Sequence, residues 1–230
     1  MKFKFINAVF IGMVLATSSI TANAGIIAST DFDDCTVSGC EAADLNWILD
    51  GLSNPGDLSV VGGYNLFTTL SADGKFAVDQ NLINDGSWSV DIALNVLANN
   101  DIALSEITLD AFTTNNRGGF QTAPRDFDIN AEFFDFNGVS LFSVSLENVG
   151  GNHSGNANEV SLILDGLGLF ANNDYNLRLT VSADSGSGVN GAIDNLKIYG
   201  ETTQVPEPST FAIFALGMIG LASRRFKNNA

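Results

Sequence analysis

The side chains able to do chemistry in this sequence are mostly carboxylates. One acidic set is "RDFDINAEFFDF", carrying Asp126, Asp128, Glu132 and Asp135. Paired carboxylates about 7 Å apart on one strand face fall within the spacing of an inverting glycosidase. No apolar pocket is legible around them that would raise one pKa, so they read as a solvated strand face. The single histidine, His153, lies in the Gly/Asn stretch "GGNHSGN", and no nucleophile elbow GxSxG accompanies it. No phosphate loop and no histidine pair with metal-ligand spacing is present. The expectation is a protein that is not an enzyme.

Asp194 is the most informative carboxylate. In "GAIDNLKIYG" strict alternation places Ala192, Asp194, Leu196 and Ile198 on one face. That face is otherwise apolar, so the carboxylate needs hydrogen bonds or a cation. If the terminal strands lie side by side, the acids of "DFDDC" are its companions. Oxygen-only ligands then suit a structural Ca2+ at Asp31, Asp33 and Asp194. The competing expectation is that Asp194 caps a bulge or bonds backbone amides, with Ile193 taking the buried place.

Cys35 and Cys40 in "CTVSGC" form a close, even pair. In an exported chain such a pair reads as a disulfide clipping a small loop. Two thiols fall short of the four ligands of a structural zinc site. Phenylalanine dominates the aromatics, with 17 Phe against 3 Tyr and 2 Trp, a core-filling profile. Among residues able to stack on a sugar ring, Tyr64 in "VGGYN" has the best loop context for ligand contact, while Trp88 shares parity with apolar neighbours.

The elements that must position these residues alternate with period two. "SWSVDIAL" sets Trp88, Val90, Ile92 and Leu94 on one side. Phe127, Ile129, Ala131 and Phe133 follow the same rule, as do Phe142, Val144 and Leu146, then Val160, Leu162 and Leu164, then Tyr175, Leu177, Leu179 and Val181. Gly- and Asn-rich breaks such as "FNG" at Phe136 separate the runs. "EAADLNWILDGL" is compatible with a helical turn or a strand. The pattern predicts an all-β fold over residues 25–202, an antiparallel two-sheet β-sandwich of jelly-roll type.

Both ends read as addressing. Residues 1–24 have a basic start at Lys2 and Lys4, an apolar run and a small-residue "ANA" end, the order of a secretory signal peptide cut after Ala24. The formal net charge is −16, and between Gly25 and Val205 the only cations are Lys75, Arg117, Arg125, Arg178 and Lys197. Nucleic acid is excluded as a partner, because its phosphates need clustered cations. Cations or neutral polymers such as sugars suit the surface better, and an acidic surface also keeps an exported protein soluble.

Residues 203–230 contain "VPEPSTFAIFALGMIGLASRRFK". Pro206 and Pro208 hold the chain extended. Thr210 to Ala222 is uncharged and helix-compatible, though shorter than the roughly 30 Å of bilayer hydrocarbon. Arg224, Arg225 and Lys227 would hold the tip in the cytoplasm.

Pro206, Glu207 and Pro208, then the apolar run, then Arg224 and Arg225 resemble the PEP-CTERM sorting signal of Gram-negative bacteria. The resemblance implies export past signal peptidase and an inner membrane-anchored intermediate. It also implies cutting by an exosortase near Pro206–Pro208, and delivery to the cell surface or an exopolysaccharide matrix. "STDFDDC" and "GAIDNLKIYG" also resemble the first and last strands of surface β-sandwich modules, carbohydrate-binding jelly rolls among them. The expected role is a non-catalytic surface or matrix component associated with exopolysaccharide. The alternatives are a carbohydrate-binding module with a defined sugar site and, less favoured, a secreted glycoside hydrolase. A binding module requires exposed aromatics in a groove, and a hydrolase requires two convergent carboxylates.

Overall fold

The computed structural model describes residues 25–32, 47–53, 58–61, 76–77, 87–114, 127–149, 158–183 and 190–205. The signal segment 1–24, Asp33, Cys35, Cys40, Tyr64, His153 and the segment 206–230 lie outside these residues. The described elements are all strands: β1 (Gly25–Thr30), β2 (Ile48–Leu49), β3 (Ser59–Val61), β4 (Phe76–Ala77), β5 (Ser87–Asn95), β6 (Asn100–Thr114), β7 (Phe127–Asp135), β8 (Ser140–Leu146), β9 (Asn158–Leu169), β10 (Asp174–Ala183) and β11 (Asn190–Gln204). Among the described residues, no helix is long and apolar enough to cross a membrane.

The strands form two antiparallel sheets. Sheet one has the order β2-β1-β11-β6-β9, with β4 also pairing β11, and sheet two the order β3-β5-β10-β7-β8. Leaving aside the short β2, β3 and β4, the longer strands pair first with last: β1 with β11, β5 with β10, β6 with β9, β7 with β8. This nesting, alternating between the sheets, is the jelly roll.

Alternation produces the core as expected. Trp88, Val90, Ile92 and Leu94 of β5 are buried, as are Phe127, Ile129, Ala131 and Phe133 of β7. The inward residues of β9 and β10 join the same cluster. Phe142, Val144 and Leu146 of β8 are only half-buried, because β8 ends the strand order of sheet two. Ile48 and Leu49 resolve the ambiguous "EAADLNWILDGL" toward strand, pairing with Ser29 and Ala28.

Strict alternation fails at Asp194. The pairing of β11 with β6 slips between Asp194 and Lys197, and Asn195 takes a positive φ of 48°. This is a bulge, and asparagine tolerates the left-handed backbone better than most residues. The extra residue shifts the parity by one. Ile193, Leu196 and Ile198 enter the core cluster, whereas Asp194 stands opposite Asp110 on the outer side of sheet one. The expected core-facing set Ala192, Asp194, Leu196 and Ile198 is therefore corrected in its first two members. Asp194 is still 8% exposed, and Ala192 and Phe112 on the same outer side are also buried.

Candidate functional site

The outer face of sheet two is a polar lattice built by the same alternation that filled the core. Its register lines up Asp91, Arg178, Glu132 and Ser143 across β5, β10, β7 and β8. The next row is Ser89, Thr180, Asn130 and Ser145. The row on the other side is Ala93, Asn176 and Phe134.

Arg178 anchors the lattice. Its Nε donates to Asp91 Oδ1 at 2.7 Å and its Nη2 donates to Asp91 Oδ2 at 2.8 Å. The guanidinium lies 5.3 Å from the Phe134 ring centroid, within cation–π range. The hydrogen bond that Arg178 donates to Asp91 raises the Arg178 pKa further, with Glu132 contributing. The pair uses two of five guanidinium N–H donors. Beside it, Asn130 Nδ2 donates to Ser143 Oγ at 2.9 Å, Ser145 Oγ at 2.8 Å and the Val144 carbonyl at 3.2 Å.

Between this lattice and the β7–β8 turn runs a groove of about 420 Å3, lined in part by Phe134, Asp135, Phe136, Asp174, Asn176 and Arg178. Phe136 is 73% exposed at the turn. The turn is held by Asp135. Its Oδ1 accepts the N–H of Val139 at 2.8 Å and of Asn137 at 2.9 Å. The Val139 amide, with help from Asn137, holds the Asp135 carboxyl below its usual value. A general acid needs the opposite shift, so Asp135 is suited to bracing the turn and not to protonating a leaving group. Gly138 completes the turn with a φ of 77°, a conformation glycine adopts without strain.

The acidic set singled out in the sequence does not converge. Asp128 Oδ1 accepts the Asn148 N–H at 3.0 Å, Asp135 braces its turn, and Glu132 flanks Arg178. Asp126 lies outside the described residues. Trp88 is buried, and its Nε1 donates to the Gly191 carbonyl at 3.2 Å.

At the terminal strands, Asp194 Oδ1 accepts the Asn195 N–H at 2.7 Å, and Asn195 Nδ2 donates to Asp110 Oδ2 at 2.8 Å. The β1–β11 pairing ends at Thr30 opposite Leu196, which brings Asp31 to the bulge. Among the described residues, no group of three or more His, Cys, Asp or Glu is drawn together to hold a metal ion.

Sequence reasoning missed Arg178, Asp91, Phe134 and Phe136 as a unit. A signal was available: Phe134 breaks the polar register of β7, and Arg178 is the lone cation of β10.

The fold and the groove define a jelly-roll β-sandwich with a polar, aromatic-rimmed outer face. Residues 204–225 match the family model of the PEP-CTERM protein-sorting motif, so the chain carries a PEP-CTERM sorting motif. The motif implies an exported protein processed by an exosortase through a membrane-anchored intermediate. No curated protein matches the chain.

Solved structures with a similar fold include TmCBM61 in complex with beta-1,4-galactotriose, at 13% identity and a TM-score of 0.39, covering 66% of this chain and 98% of that one. A family 29 carbohydrate-binding module from Piromyces equi is 14% identical, with a TM-score of 0.36, and covers 79% and 91%. The enzymatically active domain of bacteriophage CBA120 tailspike protein 4 is 16% identical, with a TM-score of 0.36, and covers 63% of this chain and 18% of that one.

Proposed function

We propose that this exported protein holds a polysaccharide at the cell surface or in the extracellular matrix, through the groove on sheet two and without catalysis. The observation that carries the proposal is Phe136, exposed at the rim of a groove that Phe134, Asn176, Arg178 and Asp174 also line. An apolar ring beside a few fixed hydrogen-bonding groups is the chemistry a sugar needs, with one face to stack and hydroxyls to satisfy. The groove favours a defined sugar site over a merely acidic, solubilising surface. The binding reading is preferred to the hydrolase reading because, of the two carboxylates that line the groove, Asp135 and Asp174, the first is tied to backbone amides.

The test is binding of the full chain to a glycan array and to polysaccharide from its host. Truncating Phe136→Ala is expected to weaken binding about tenfold, the equivalent of one lost aromatic contact. Unchanged affinity in that variant would remove the groove from the function. Intact mass of the protein from its native host tests the sorting. Loss of residues 1–24 and of the segment after about Pro208 is expected, whereas a retained Arg224 to Ala230 would make the tail a permanent anchor.

A structural Ca2+ at Asp31, Asp33 and Asp194 stays a proposal. The side-by-side pairing of β1 with β11 supports it. The Asn195 amide on Asp194 supports the alternative, in which the carboxylate locks the bulge.

A further inference from the structure

The turns β5–β6 and β9–β10, the turn β7–β8 and the end of β11 all lie at one end of the sandwich. The pairings Asp174 with Asn95, Tyr175 with Asp135, Ile102 with Leu169 and Gln204 with Asn100 require it. Backbone bonds tie the turns together. Val205 N–H donates to the Asn99 carbonyl at 2.7 Å, and Val96 N–H donates to the Asn173 carbonyl at 3.1 Å. Ala171 N–H donates to Asp101 Oδ1 at 2.9 Å.

This end gathers most of the large apolar side chains exposed among the described residues. Phe136 is 73% exposed, Phe170 61%, Val139 58%, Leu97 44% and Val205 38%, while Ile26, Ile48, Leu141 and Ile163 lie along the strands. Clustered apolar surface of this kind marks an interface. The chain itself says which one, because the sorting motif begins at residue 204 of the same end. From Val205 to Thr210, where the apolar run starts, the fully extended chain reaches at most about 17 Å. The headgroup region is about 6 Å deep on each side of a bilayer. The end of the sandwich cannot stand far from the lipid while the tail is embedded.

We propose that, before exosortase cuts the tail, this end of the jelly roll rests on the membrane, with Phe170 and Leu97 seated in the lipid interface. The inference relies on the sorting-intermediate reading above. The lipid it suits is zwitterionic, because Asp101 and Asp135 stand at the same end and repel anionic headgroups. The tail supplies the local concentration, so a shallow apolar contact suffices. Docking would present the region around Val205 to a membrane protease in one orientation.

The test reconstitutes the full chain from Gly25 into zwitterionic phosphatidylcholine–phosphatidylethanolamine vesicles. Phe170→Trp and Ile163→Trp chains are compared for quenching by lipids brominated near the headgroup, with Trp47 and Trp88 as a common background. Flotation of the vesicles reports the anchor separately. The expected result is a floating chain in which quenching of the added tryptophan is at least about twofold stronger for Phe170→Trp than for Ile163→Trp. A floating chain with equal quenching overturns the docking and leaves the anchor standing. A chain that does not float overturns both. Quenching that vanishes below one chain per vesicle assigns the end to a second copy and overturns the lipid contact, and quenching that rises with anionic lipid overturns the choice of lipid.

Discussion

Arg178 and Asp91 face each other across β10 and β5 in a two-pronged ion pair, 2.7 and 2.8 Å long, with Phe134 beneath the guanidinium. The side chains are 40% and 17% exposed, so water screens the pair and its worth to stability is small. Its role is placement: it fixes the only cation of the β10 strand over an aromatic ring at the groove.

A double-mutant cycle with Asp91→Ala and Arg178→Ala is expected to give a stability coupling of about 0.2–1 kcal/mol by urea unfolding. Arg178→Lys keeps the charge but loses the planar fork, and it is expected to lower polysaccharide affinity more than stability. Equal losses in both would reduce the pair to scaffolding.

Gly191 is expected to tolerate no side chain. A methyl there would clash with Val181 Cγ1 and come within 3.0 Å of Phe127 Cδ2, both across the sandwich in sheet two. Gly191→Ala therefore overpacks the core at a cost of about 1–3 kcal/mol. Adding Val181→Ala should recover part of that loss, and a double variant no better than the single one would refute the clash.

The Asp135 turn makes a pH-dependent contribution. Its folded pKa is lowered from 3.8, so the stability it adds is fully present above that value and is lost as pH falls below it. Asp135→Ala should lower Tm at neutral pH, and its deficit against the parent should shrink between pH 4 and pH 2, an interval of about two units around the usual carboxylate range. A deficit that stays constant across that interval would show that the carboxylate charge is not what holds the turn.

The bulge at Asn195 separates the two accounts of Asp194. Asn195→Ala costs about 1–2 kcal/mol through its left-handed backbone on either account, and if the carboxylate locks the bulge EDTA leaves Tm unchanged. If calcium holds the terminal strands, EDTA lowers the parent's Tm, and Asp194→Asn abolishes that sensitivity. Melting curves of the parent and both variants, with and without EDTA, decide between them.

Most of the fold was legible in the chain. Alternation is a local property, so the apolar face of β5, β7, β9 and β10 could be read from spacing alone, and it predicted the two-sheet sandwich. The tail was equally legible, because Pro206, Glu207, Pro208 and the basic tip carry their meaning in sequence order and need no fold. What spacing could not carry was anything depending on a partner strand. The bulge at Asn195 is a mismatch between β11 and β6, invisible until the two are paired, and it turned Asp194 from the core to the outer side of sheet one. The groove likewise needed β5, β10 and β7 side by side, since Asp91, Arg178 and Phe134 are far apart in the chain and meet only through register. Burial follows from local periodicity, whereas a site made of several strands follows from long-range hydrogen bonding, and only the tertiary structure supplies that.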